Sequence, residues 1–238
     1  MVKIELCIET FAEAQLASEF KLDRVELCSA LEAGGLTPGY GSIKQVSAIQ
    51  NIETHVMIRP RPGDFVYSDQ EIEIMIQDIQ TAADLGANGV VLGVLNKANA
   101  PDLETLAQFV KQANDLDLEI TFHRAFDLID SPVDALRDLT KLGFDRILTS
   151  GQQPKAVEGL NLIQQLVQQA DGSIEIMAGS GINADNVEEI LESGVNAIHF
   201  TSQLPMGNVG TWKFGTYHAP DPLKLTSILE KAEKYRTK

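Results

Sequence analysis

A (β/α)8 barrel of the TIM type is the fold class that this sequence predicts, and three observations predict it. Eight short β-rich runs recur along the 238 residues, each followed by a stretch with helical signals. Strand alternating with helix eight times in a chain of this length is the pattern of a closed parallel sheet wrapped by helices. A weak internal repeat marks the handovers: Leu85-Gly86-Ala87-Asn88, Leu142-Gly143-Phe144-Asp145 and Ser193-Gly194-Val195-Asn196. Glycine there stops a helix in the left-handed conformation, and Asn or Asp tolerates the turn that follows. No linker or low-complexity segment divides the chain, so residues 1–238 read as one domain. An open doubly wound sheet fits less well, because no Gly-rich dinucleotide fingerprint follows the first run. No organic cofactor is expected.

The elements follow in order. The first strand, Lys3–Glu9, leads into a helix over Phe11–Phe20 that a capping box of Thr10 and Glu13 opens. Leu22–Cys28 and Glu53–Arg59 are the second and third strands, and Ser68 with Glu71 repeats the box before Ile72–Leu85. Gly89–Leu95, Leu118–His123, Asp145–Ser150, Ile174–Gly179 and Asn196–Thr201 complete the set. Prolines at first-turn positions, Pro101, Pro132, Pro154 and Pro222, mark four helix starts, with Ser131 and Asp221 as caps before two of them. Asn183 caps the helix through Leu191. Residues 203–220, with Trp212, Phe214 and Tyr217, form a long loop before the last helix, either a lid or a subunit contact.

Composition removes several function classes. The chain is 44% hydrophobic and 22% charged, with a formal charge of −15 and no basic stripe. Nucleic-acid binders draw affinity from Lys and Arg on phosphates, so neither nucleic acid nor an anionic membrane is expected as a partner. No apolar run approaches the ~18 residues of a membrane span. Charge interrupts the apolar residues of Met1–Cys7, so no signal peptide is expected, and two cysteines exclude a disulfide scaffold. A soluble, acidic, cytoplasmic protein is the expectation.

Side chains alternate along a strand, so each run sorts into two faces. Ile4, Leu6 and Ile8 form the helix-facing side of the first strand; Glu5, Cys7 and Glu9 then point into the barrel. The same sorting sends inward Arg24, Glu26 and Cys28; His55, Met57 and Arg59; Glu119, Thr121 and His123; Arg146 and Ser150; Glu175, Met177 and Gly179; His199 and Thr201. Buried charges must pair or meet a ligand. Glu5, Arg24, His55, Glu119, Arg146 and Glu175, early in their strands, read as a structural ion-pair network. Strand C-termini are where barrel enzymes place their sites. Glu9, Glu26, Cys28, Arg59, Arg61, His123, Arg124, Asp127, Ser150, Ser180 and Thr201 fall there.

Four groups carry candidate chemistry. Arg59 and Arg61, stiffened by Pro60 and Pro62, suit bidentate binding of carboxylate or phosphate, or else bridge to Asp64 or Asp69. Gly179, Ser180 and Gly181 form a small-residue turn leading into a helix N-terminus, where barrels commonly hold phosphate. His123 shuttles a proton or binds a metal, or is hydrogen-bonded to a glutamate. Cys7 and Cys28 occupy matched positions of consecutive strands, Glu5-Leu6-Cys7 and Glu26-Leu27-Cys28. Two thiolates suit Cu(I), but buried cysteines are usually inert, adjacent glutamates oppose the thiolate, and no CxxC spacing is present.

Val25-Glu26-Leu27-Cys28, Met57-Ile58-Arg59-Pro60-Arg61, Gly63–Ser68, Phe122–Asp127, Arg146–Gly151 and Met177–Ile182, taken in order, resemble the CutC family, from the first strand to about Ser202. The resemblance implies a cytoplasmic TIM-type barrel, a homo-oligomer and a role in copper homeostasis. Where Cu(I) binding is proposed in the family, two cysteines on the first two strands are the ligands, and Cys7 and Cys28 match them. Beside that stands an enzyme on a small carboxylated or phosphorylated compound. There Arg59, Arg61 and the Gly179–Gly181 turn hold the anion, while Glu26 and His123 handle protons.

Overall fold

Period-two alternation becomes eight short strands. They are β1 (Lys3–Ile8), β2 (Arg24–Leu27), β3 (Glu53–Met57), β4 (Gly89–Leu92), β5 (Glu119–Phe122), β6 (Arg146–Thr149), β7 (Glu175–Gly179) and β8 (Ala197–Phe200). In the computed structural model, which describes residues 1–206 and 216–236, they pair in chain order, all parallel. β8 returns to β1 to close the barrel. One helix follows each strand: α1 (Phe11–Glu19), α2 (Tyr40–Ser47), α3 (Asp69–Asp84), α4 (Leu103–Asp115), α5 (Pro132–Leu142), α6 (Leu160–Ala170), α7 (Val187–Glu192) and α8 (Pro222–Arg236). This is a single (β/α)8 domain. No described helix is long and apolar enough to cross a membrane.

Both capping boxes form, at Thr10/Glu13 and Ser68/Glu71. Pro132 opens α5 and Pro222 opens α8, where Asp221 Oδ1 accepts the amides of Leu223 and Lys224. Other helix starts differ from the sequence expectation. Pro101 lies one residue before the cap of α4, which is Asp102. Pro154 precedes a 3-10 turn (Ala156–Gly159) rather than α6 itself, and Ser131 makes no side-chain cap. Asn183 is not the cap of α7: its Oδ1 accepts the Asp185 amide at 2.8 Å, and Asn186 holds the cap position. Asn satisfied by its own turn postpones the helix. The Gly179–Gly181 turn therefore does not lead directly into a helix.

The large apolar cluster lies between strands and helices and contains Ile4, Leu6 and Ile8 as expected. Inside the barrel only two small apolar groups occur: Cys7, Cys28, Met57 and Val91 in one, Leu148, Met177 and Ala197 in the other. Residues 203–220 begin and end as an antiparallel pair, β9 (Gln203–Pro205) and β10 (His218–Pro220), pinned to α1 by Gln203 Nε2 donating to Glu13 Oε1 at 2.7 Å. Tyr217 is exposed beside it, whereas Trp212 and Phe214 fall outside the described residues.

Candidate functional site

Strand register builds a chain of charges down the barrel. Glu5 stands beside Arg24 on one side and His199 on the other, and Cys7 stands beside Glu26. Arg24 Nε donates to Glu5 Oε2, and His199 Nδ1 lies 2.6 Å from Glu5 Oε1. Burial pushes the Glu5 carboxyl up, but Arg24 and His199 outweigh it and hold it well below the usual carboxylate range. Burial pushes His199 down, yet Glu26, Cys7 and Glu5 hold it well above an ordinary imidazole, so it is a cation. Towards the strand N-termini Arg146 donates to Glu175 at 2.7 Å, Glu119 at 3.0 Å and Thr121 at 3.0 Å. Glu53, His55 and Glu119 also cluster there closely enough for a metal. Arg146 already occupies Glu119, and Arg24 stands 3.6 Å from Glu53, so the cations at that end are the protein's own.

At the opposite end a cavity of about 190 Å³ opens among Cys7, Glu26, Cys28, Met57, His123 and His199. Both thiols donate to one oxygen, Glu26 Oε2, Cys7 at 3.2 Å and Cys28 at 3.4 Å. His199 Nε2 lies 3.7 Å from that same oxygen. Hydrogen bonding to Cys28 and burial push the Cys7 thiol well above its ordinary value. The bond to Cys7 pulls Cys28 down, but burial and Glu26 push it up to about 12. Burial also raises Glu26, against the pull of His199. His123 is pushed down to about 3 by burial and by Arg59, so its ring is neutral.

The other predicted residues lie around this cavity rather than in it. Arg59 is buried, and its guanidinium donates to the carbonyls of Ala33, Gly35 and Gly63 at 2.9–3.1 Å while stacking on Phe65. Arg61 is bound to Glu71 and Asp64 and to the Val66 carbonyl. Arginines with free forks are thus absent from the third-strand loop. Ser180, at φ +86°, donates to the Pro154 carbonyl at 2.8 Å, and the Gly181 carbonyl accepts the Asn183 and Asn186 amides. Lys155 packs against Gly181 where a Cβ would stand. Ser150 turns to Asp127, whose carboxylate also takes the Thr149 hydroxyl and the Gln152 amide, and so ties the β5 loop to the β6 loop.

The model of the CutC family matches residues 2–204. The chain belongs to the CutC family. It is 48% identical over 220 residues to a family protein CutC of Glaesserella parasuis serovar 5, covering 90% of each chain. To that of Pasteurella multocida it is 45% identical over 203 residues, 85% of this chain and 82% of the relative. The crystal structure of a CutC from Streptococcus agalactiae, described as a copper homeostasis protein, superposes with a TM-score of 0.79 at 38% identity. That match covers 84% of this chain and 98% of the other.

In this CutC barrel, sequence reasoning brought Glu26, Cys28 and His123 to one mouth, to which the cavity adds Cys7 and His199. It turned Cys7 inward and left His199 and Glu5 in the background. Strand alternation pointed both inward; what it lacked was their pairing across the β8–β1 closure. Gly93 was a missed signal of a different kind. A Cβ there would meet His123 Cε1 and Nδ1, both at 2.6 Å, so the glycine makes room for the imidazole. Gly93→Ala is expected to cost about 1–3 kcal/mol by overpacking. Urea unfolding checks it, and an unchanged midpoint would show that the ring has room to move.

Proposed function

We propose that the chain binds Cu(I) at the barrel mouth through Cys7 and Cys28, in the service of copper homeostasis in the cytoplasm. The observation that carries this reading is the convergence of both thiols on Glu26 Oε2. Two sulfurs held within hydrogen-bond reach of one point can share one ion. The donor set fits a soft monovalent cation: two thiols with the Met57 thioether in the same cluster. Thiols bind as thiolates, so the ion displaces two protons.

The description of the Streptococcus agalactiae relative as a copper homeostasis protein supports the same reading. Both cysteines are buried and free, a state that a reducing compartment maintains. Self-association belongs to this reading too, with exposed Leu204, Met206 and Tyr217 beside the β9–β10 pair as the surface and light scattering as its check. The small-anion reading gains little from Arg59 and Arg61, whose terminal guanidinium nitrogens are engaged by Ala33, Gly35, Gly63, Asp64 and Val66.

An anaerobic Cu(I) competition titration against a strong chelator tests the proposal. Wild type is expected to bind one ion tightly, and Cys7→Ser/Cys28→Ser to lose that binding while its circular dichroism stays unchanged. Equal affinity in the two proteins would remove the cysteines as ligands.

A further inference from the structure

The cavity also holds two polar atoms that the copper reading leaves idle, Glu26 Oε1 and His123 Nε2. Both are buried, and neither has a hydrogen-bond partner among the described residues. Natural proteins rarely leave such atoms unmatched, and an unmatched pair on one cavity wall points to a ligand.

We propose that Glu26 Oε1 and His123 Nε2–H act on a small neutral carbonyl compound, moving a proton at the carbon next to its carbonyl.

The His123 donor is fixed by its surroundings. The Ala125 amide donates to Nδ1 at 3.2 Å, so Nδ1 keeps its lone pair and the neutral ring carries its hydrogen on Nε2. Gly93 closes against one edge of the ring, and Phe65 lies 4.8 Å away, so the imidazole is held in a single orientation. The depressed His123 keeps the ring a neutral donor throughout the physiological range.

Glu26 is oriented just as firmly. Its Oε2 receives both thiols, with the His199 cation 3.7 Å away, and this leaves Oε1 as the free acceptor. A carboxylate base and a neutral imidazole donor lining one cavity are groups suited to enolisation.

The cavity selects the ligand. A volume of about 190 Å³ is below the ~300–1,000 Å³ of drug-sized sites, so the compound has only a few heavy atoms. Leu31, Met57 and Phe65 supply apolar walls. A carboxylate on the substrate would face Glu26, while the two cations on the cavity are already matched, His199 by Glu5 and Glu26 and Arg124 by Asp127 and Ser150. An uncharged hydroxyketone or hydroxyaldehyde matches these terms.

The step balances without a co-reactant. The C–H bond breaks and its proton goes to Glu26 Oε1. The C–H electron pair forms the new C=C bond, and the C=O π pair moves onto oxygen, where His123 Nε2–H stabilises it. Return of the proton to the same carbon gives exchanged substrate; return to the other carbon, with the neighbouring hydroxyl proton passing to the enolate oxygen, gives the isomer.

Proton NMR in D2O tests this with dihydroxyacetone, glyceraldehyde and hydroxyacetone, each with excess Cu(I) chelator present. Loss of the α-proton signal is expected to run faster with protein than without, for at least one of the three. Glu26→Gln is expected to lower the rate by about 10²–10⁴-fold and His123→Gln by about 10²–10³-fold. Glu26→Asp keeps the charge, covers the case in which Glu26→Gln fails to fold, and is expected to slow exchange without abolishing it. No acceleration with any of the three compounds overturns the proposal. So does a folded Glu26→Gln that exchanges at the wild-type rate, and so does acceleration that the chelator abolishes.

Discussion

Each unit rise in pH across neutrality is expected to tighten Cu(I) binding by about 100-fold, provided both cysteines are its ligands. Cys7 lies well above the ordinary thiol value and Cys28 at about 12, so both are protonated in the free protein at neutral pH. Binding as thiolates then releases two protons. Affinity rises with pH while the solution stays below both thiol values, and falls as the solution is acidified. The competition titration, repeated at several pH values and corrected for protons on the chelator, reads the slope directly. A slope of one identifies Glu26 as keeper of one proton; a flat profile eliminates the thiols. Glu26→Gln removes the charge that pushes the thiols up, so its affinity at neutral pH is expected to exceed that of wild type.

Arg24→Met is expected to destabilise the barrel by about 3–5 kcal/mol, because it strands Glu5 as a buried charge. Both side chains are fully buried (0% exposed), and Arg24 Nη1 also stands 3.6 Å from Glu53 and 3.9 Å from Glu119. Only His199 would remain to balance Glu5. Urea unfolding measures the loss, and Glu5→Gln/Arg24→Met is expected to cost less than the sum of the two single changes, since the partners act as one unit. A single substitution costing under about 1 kcal/mol would show that the interior charges contribute nothing a methionine cannot replace.

The barrel was legible because period-two alternation and helix starts repeat locally. Matched positions in Glu5-Leu6-Cys7 and Glu26-Leu27-Cys28 set Cys7 opposite Cys28, whereas the register sets Cys7 beside Glu26 and Glu5 beside Arg24, two residues earlier along β2. His199 meets Glu5 across 194 residues, and nothing local records which strands close the ring. Arg59 and Arg61 looked like ligand-binding forks because their true acceptors are backbone carbonyls, which leave no mark in a sequence. Asn183 offered a credible cap, but its side chain found a nearer amide. The two capping boxes reported their helix starts faithfully, single-residue caps did so less often, and the destinations of long side chains depended on tertiary register.

The alternating line Glu26–His199–Glu5–Arg24 bears on how such a barrel can drift over generations. Each member neutralises neighbours contributed by other strands, so no member can change sign alone without leaving a charge unmatched in the interior. Inheritance at these four positions is therefore concerted, and descendants are expected to differ there in sets. The outward faces, built from interchangeable aliphatic residues, are free to vary one at a time.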